Sequence, residues 1–388
     1  MKILQILTYF SPKMGGEYNV CYNLSKTLCE MGHDVTILTT DVYYDFRVDN
    51  SLSNLLIVPF HCVSNIAGFL YTPSMKSWLA NHIREYDIVH IHGYRGYQTI
   101  IAAKYALKYS IPYVIQPHGS FPRIIAKQSL KKLYDIVWGN KVLKGAQKII
   151  AVSRFEQTSL IECGIEADNI LVIYNGLPVE RFLTYVSRDT IVSDDNRNNK
   201  TILYLGRLNQ RKGIDILIRA FYQLTFKMPN VLLRIAGSDD GYKNTLVNLC
   251  HNLQIEDKVE FLDFVKDDIS EYKYSDVLVY PSIAEIFGLV PFEAILSGTP
   301  VIVTDDCGCG EIIQEMDAGY LVHYGDVMGL ANQIEYVLTH PLENSHKVQK
   351  GKEYIINHLS WTMIAKEYLQ EYESQIMYPD INNDILHK

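Results

Sequence analysis

The sequence predicts an α/β protein of two successive domains, each organised around a parallel sheet. Three observations lead there. Short apolar runs alternate with amphipathic stretches, one polar segment interrupts the alternation, and the alternation then resumes. The 388 residues, 48% hydrophobic and 21% charged, suffice for two ordinary domains and do not have a disordered or fibrous composition.

The first strands are predicted at Lys2–Tyr9, Val35–Thr39, Ile88–His92, Tyr113–Gln116, Lys148–Val152 and Ile170–Tyr174, giving a first domain over 1–186. A helix is expected over Tyr18–Met31, where Val20, Leu24 and Leu28 recur at helical spacing. Residues 187–200 (SRDTIVSDDNRNNK) are polar and rich in Asp and Asn, and read as a linker. Strands at Thr201–Leu205, Val231–Ala236, Val259–Leu262, Val277–Tyr280 and Pro300–Val303 then predict a second domain over 201–360. A last helix over Trp361–Met377, within a segment of about 361–388, is expected to pack back on the first domain. Two such domains place a ligand cleft between them, facing the carboxyl ends of the strands.

The net charge of −8 argues against a general nucleic-acid binder. It is unevenly spread: residues 1–185 hold 18 Lys+Arg against 14 Asp+Glu, and the remainder 18 against 30. The seven cysteines have no paired CxxC spacing and fit a reducing compartment and buried thiols. Cys307-Gly308-Cys309 has no second ligand pair near it to complete a zinc site. No apolar run approaches the ~18 residues that span a bilayer, so the expected location is cytoplasmic, with peripheral contact at the inner face of the membrane as its only membrane association.

Four features at predicted strand-to-helix junctions carry the chemistry. The first is Pro281-Ser282-Ile283-Ala284-Glu285-Ile286-Phe287-Gly288-Leu289-Val290-Pro291-Phe292-Glu293. It puts Glu285 in a turn, Glu293 about two turns into a helix, and the amides of Phe287, Gly288 and Leu289 at the helix N-terminus, where they suit phosphate or sugar oxygens. Glu285 can accept bonds from sugar hydroxyls and Glu293 from a ribose diol; alone, the pair reads equally as surface carboxylates. The second is Gly206-Arg207-Leu208-Asn209-Gln210-Arg211-Lys212, in which Arg207 and Lys212 can neutralise a diphosphate leaving group; Arg211 either joins them or faces solvent. The third is Gly15-Gly16, which permits close backbone approach of a phosphate without being a GxGxxG motif. The fourth is Gln116-Pro117-His118-Gly119-Ser120, where His118 can hydrogen-bond sugar or acceptor; His92, at the end of its own strand, is a further candidate.

With these residues the sequence resembles glycosyltransferase family 4, retaining enzymes of the GT-B fold, which has two Rossmann-like domains with parallel sheets facing an interdomain cleft. Glu285 and Glu293 match the family's E-x7-E motif, Arg207 and Lys212 its diphosphate clamp, Gly15-Gly16-Glu17 its glycine loop, and Asn175-Gly176 its turn before the linker. The resemblance implies a UDP- or GDP-linked hexose donor and a glycan or lipid-linked acceptor in cell-envelope polysaccharide synthesis. It implies no cofactor and no metal, and same-face attack through an oxocarbenium-like state. Glu285, His118, Arg207 and Lys212 would serve catalysis. Gly15, Gly16, Glu293 and the run Ile286, Phe287, Gly288 and Leu289 would bind donor with them, and His92, Tyr94, His118 and Ser120 would meet acceptor. Cys307 departs from the pattern by replacing the first glycine of a Gly-Gly pair. A nucleotide-sugar 2-epimerase of the same fold and a non-catalytic nucleotide-sugar binding protein are the alternatives.

Residues 121–148 hold seven basic residues (Arg123, Lys127, Lys131, Lys132, Lys141, Lys144 and Lys148) and one acid, Asp135, interleaved with Ile124, Ile125, Leu130, Leu133, Val137 and Trp138. Such a stretch can lie on anionic lipid, form a solvated helix face, or bind acceptor.

Overall fold

The computed structural model describes residues 1–44, 52–66, 68–121, 128–185 and 199–377. The chain divides into two units, one formed by residues 1–176 with the helix Trp361–Met377, the other by Leu177–Ser360.

In the first unit, β1 (Lys2–Tyr9), β2 (Asp34–Thr40) and β3 (Leu55–Phe60) are followed by a hairpin of β4 (Ser64–Ile66) and β5 (Phe69–Tyr71). Then come β6 (Ile88–His92), β7 (Tyr113–Gln116), β8 (Lys148–Ala151) and β9 (Ile170–Val172). Seven strands form a parallel sheet in the order β3-β2-β1-β6-β7-β8-β9. Leu4, Val89, Ile91 and Ile115 are wholly buried, as expected for a sheet covered by helices on both faces. The helix Gly16–Glu30 packs against Trp361–Met377, whose Tyr368 hydroxyl donates to Gln116 Oε1 (3.1 Å) and whose Tyr372 hydroxyl lies 2.7 Å from His90 Nδ1.

The second unit contains β10 (Lys200–Leu205), β11 (Val231–Ala236), β12 (Val259–Leu262), β13 (Val277–Tyr280), β14 (Val301–Thr304) and β15 (Tyr320–Val322). Its parallel sheet runs β12-β11-β10-β13-β14-β15, the order of a doubly wound nucleotide-binding domain. In each sheet the strand order reverses beside the first strand, between β1 and β6 and between β10 and β13. Loops leaving the carboxyl ends of the strands diverge there and open a crevice.

Two expectations need correction. Residues 177–185, assigned to the first domain, pack with the second unit. Leu177 N donates to Leu359 O (2.7 Å), Val179 and Phe182 are buried, and Arg181 forms a two-bonded ion pair with Asp268. Of the expected linker, only residues 199 and 200 lie among the described residues, and Lys200 already belongs to β10. The thiols are mostly buried, but Cys62 is half-buried and Cys163 exposed.

Candidate functional site

At the switch point of the second sheet, the loop after β10 and the loop after β13 bring Lys212 and Glu285 into an ion pair. The ammonium of Lys212 also donates to the Tyr280 hydroxyl (2.8 Å), and that hydroxyl donates to Glu285 Oε2 (3.0 Å). Tyr280, the last residue of β13, is buried against Tyr204, ring parallel to ring. Burial alone would raise the Glu285 carboxyl's pKa. Lys212 and the Tyr280 hydroxyl outweigh burial and hold it below the ordinary carboxylate value. Glu285 is therefore a fixed anion.

The turn that presents Glu285 is shaped by its backbone. Ala284 adopts φ 55° and Gly288 φ 75°, so helix cannot begin before Leu289. The helix runs Leu289–Ser297, and Glu293 sits only about one turn in, not the two expected. Gly288 caps it, and the first amides beyond have no partner within the helix. The strand-end loop carrying Cys307 braces this turn: Gly308 N donates to Glu285 O (2.7 Å). Cys307 and Cys309 are buried with sulfurs 3.2 Å apart, and a side chain at Gly288 would crowd Cys309 Sγ. No group of three His, Cys, Asp or Glu among the described residues is arranged to hold a metal ion.

Gly213 sets Lys212. Its φ of 62° lies in the left-handed region, and a methyl group there would run into the Pro281 carbonyl oxygen. Gly213→Ala is therefore expected to cost about 3 kcal/mol and to loosen Lys212 from Glu285. Urea denaturation would check this; a loss under 1 kcal/mol would show that the two loops can separate freely.

Glu293 belongs to a second network. The Tyr272 hydroxyl donates to its Oε2 (2.9 Å), and Arg181, held by Asp268, adds a nearby positive charge. Burial, reinforced by Asp268, pushes the Glu293 pKa up to about 6. Arg207 stands apart from both networks, exposed and 3.7 Å from Asp240, while Arg211 is exposed beside the Lys212 turn.

In the first unit, the residues at the β1–β6 switch point form a buried polar chain. His92 Nε2 is 2.7 Å from Gln5 Oε1, and His92 Nδ1 is 3.0 Å from His118 Nε2. Burial pushes the pKa values of His90 and His118 down to about 3 and lowers that of His92 as well, so all three rings are neutral. His118 adopts φ 51°, and Gly119 N donates to Glu156 Oε1 (2.6 Å), which fixes the turn after β7. Ser120 is exposed, its hydroxyl turned to Pro117 O (2.6 Å). Two acceptor candidates are corrected. Tyr94 is 1% exposed, wedged between Phe121 and Tyr134, because the alternation after β6 points it into the core. His92 is equally buried and holds His118 rather than facing solvent. Gly15 precedes the helix Gly16–Glu30, and a side chain at Gly15 or Gly16 would meet open space. Glu17, in the first turn of that helix, lies over Gly93; burial raises its pKa to about 7.

The model for glycosyltransferase family 4 matches residues 14–181, and that for the group 1 glycosyl transferases matches residues 188–354. The chain belongs to glycosyltransferase family 4. A glycosyltransferase of Methanocaldococcus jannaschii is 28% identical to this family 4 enzyme, with 96% of this chain and 98% of the relative covered. The N-acetyl-alpha-D-glucosaminyl L-malate synthase of Bacillus anthracis is 26% identical, with 96% of each covered. Among solved structures, the Anabaena protein HepE in complex with UDP superposes with a TM-score of 0.78 at 21% identity, covering 96% of this chain and 100% of that one. The family 4 chain thus has the GT-B architecture of two Rossmann-like units and is a transferase enzyme.

Tyr280, Tyr272, Asp268 and Arg181 escape sequence reasoning. Lys212 reaches Tyr280 across 68 positions and Arg181 reaches Asp268 across 87, and a tyrosine ending an apolar strand, as Tyr280 does, looks like core. The nearest signal is Tyr280 itself, placed directly before Pro281-Ser282 at a strand end.

Proposed function

We propose that this glycosyltransferase moves a hexose from a UDP- or GDP-sugar to a glycan or lipid-linked acceptor in cell-envelope polysaccharide synthesis, with retention of configuration. One observation carries the reading: the Lys212–Glu285–Tyr280 cluster stands at the second unit's switch point, beside the helix N-terminus at Gly288 and Leu289. In this reading Lys212 and Arg207 neutralise the diphosphate as charge grows on departure, which is where preorganised cations act most strongly. Amides of the 287–289 turn meet sugar and phosphate oxygens, Glu285 contacts the transferred sugar, and Glu293 receives the ribose hydroxyls. The departing phosphate takes the proton of the attacking acceptor hydroxyl on the same face. His118, held neutral, acts as a hydrogen-bond partner and not as an acid. The solved HepE complexes with UDP and UDP-glucose support a nucleotide-sugar donor for this architecture.

A thermal-shift screen of UDP- and GDP-sugars tests it. The true donor should raise the melting temperature by RT ln(1 + [L]/Kd) worth of stability, roughly 2.7 kcal/mol at a hundredfold excess over Kd. Chelator should leave both the shift and turnover unchanged. Absence of any shift at millimolar donor would remove the donor-site assignment. Turnover of the donor without acceptor to a 2-epimer would reassign the chemistry.

A further inference from the structure

We propose that the outer face of the helix spanning 128–144, together with the hairpin beside it, is a docking surface for an anionic lipid bilayer. The helix is built from Gln128–Tyr134, one π turn over Asp135–Gly139, and Asn140–Lys144. Its inner stripe is Tyr134, Asp135, Gly139, Val142 and Leu143, all buried. The widened turn leaves three consecutive apolar side chains on the outside: Ile136 (64% exposed), Val137 and Trp138 (42%), one turn from the exposed Leu130 and Leu133. Solvated helix faces do not present five large apolar side chains in a row of turns.

The charge on this face is more one-sided than its composition. Asp135, the single acid of the helix, is turned inward, and its carboxylate accepts two bonds from the Arg95 guanidinium (3.0 and 2.9 Å). Outside stand Lys132, Lys141 and Lys144, exposed, and Lys131, half-buried. The apolar surface continues onto the hairpin: Phe69 stacks on Trp138 (6.4 Å), and Tyr71 meets Tyr97 (5.0 Å), with Ile66 and Val63 exposed nearby. The basic face ends at a cavity lined by Lys144 and Glu166.

Apolar side chains with an interfacial tryptophan, ringed by lysines, match a headgroup boundary: the rings enter the acyl edge and the ammonium groups reach lipid phosphates. Protein–protein interfaces are depleted in lysine at such positions. Among the described residues no helix is long and apolar enough to cross a membrane, so contact through this face is peripheral. The inference stands apart from the donor assignment, since every residue it uses lies in the first unit.

The full chain should co-sediment at low salt with phosphatidylcholine vesicles carrying about 30% phosphatidylglycerol, release as salt rises, and ignore pure phosphatidylcholine. Trp138 emission should shift to the blue on binding, and Trp138→Phe should remove that shift. The variant Lys132→Glu/Lys141→Glu/Lys144→Glu, whose positions are all exposed, should partition at least roughly thirtyfold more weakly. Ile136→Ser, also at an exposed position, provides a second variant; both should keep the wild-type melting temperature and any donor-induced thermal shift. The proposal fails if wild type does not bind the anionic vesicles, binds neutral ones equally, or binds as well after charge reversal. It fails too if the chain self-associates through Trp138 without lipid, which would assign the face to a second copy.

Discussion

Replacing Lys212 by Met is expected to lower kcat/KM for sugar transfer roughly 10³-fold and to destabilise the ligand-free protein. The catalytic loss follows from removing the cation proposed to face the departing diphosphate, a class of interaction worth about 3–4 kcal/mol. The stability loss has a different source. The side chains of Lys212 and Glu285 are only 14% and 22% exposed, so Met at 212 leaves a carboxylate with burial opposing its charge, held by the Tyr280 hydroxyl and the weaker pull of Arg211. Orphaning one member of such a pair costs about 3 kcal/mol, roughly 6–12 °C for a domain of this size. The double variant Lys212→Met/Glu285→Gln removes the charge as well. It should recover most of the stability and none of the activity, a pattern that separates the two roles. A fully active Lys212→Met enzyme would end the clamp assignment.

The second large effect concerns Glu293 and has opposite signs for stability and binding. Its carboxyl is raised to about 6 in the folded protein against an ordinary 4.5. The folded state thus holds the proton more tightly than the unfolded chain does. This contribution to stability is complete below pH 4.5 and is lost as pH rises through 6, about 2 kcal/mol in all. Glu293→Gln should therefore raise the apo melting temperature at pH 8 by roughly 4–8 °C. The same variant should abolish the donor-induced shift, because the amide replaces the carboxylate proposed to accept the ribose hydroxyls. Wild-type donor affinity should weaken as pH falls from 8 to 5. Glu17, raised to about 7, has the same stability sign, so some pH slope should persist in Glu293→Gln. A variant that is stabilised yet still responds to donor would keep the electrostatics and discard the ribose role.

Most of the strands that the sequence reveals lie inside their sheets. β1, β6, β7, β11 and β13 match their predicted bounds because largely apolar runs have sharp ends, and the edge strand β12, which is not buried, matches as well. The missed strands lie at edges. β3 contains Pro59, which an edge strand tolerates and which argues against a strand when read alone. β15 and the two hairpin strands have three residues each, too few for periodicity. In the site, the placement of single residues was legible: Glu285, Glu293, Lys212 and His118 all occur at strand-end turns or the helix that follows. Their pairing was not. Nothing local says that Lys212 meets Glu285, 73 residues on, and not Glu293, or that Arg207 stays apart from both. Burial of Tyr94 and His92 likewise depends on neighbours brought in from other elements.

The chain leaves the first unit at Gly176 and returns to it at Trp361, and a side chain at Gly176 would strike the Trp361 indole. The second unit is thus an insertion, and it sets an order of events during synthesis. Although domains usually fold from the amino end as they emerge, here residues 177–360 are all made before the first unit has received the helix that bonds His90 and Gln116. A nascent first unit waits with those polar groups uncovered, and the part of the molecule made first is the last to be finished.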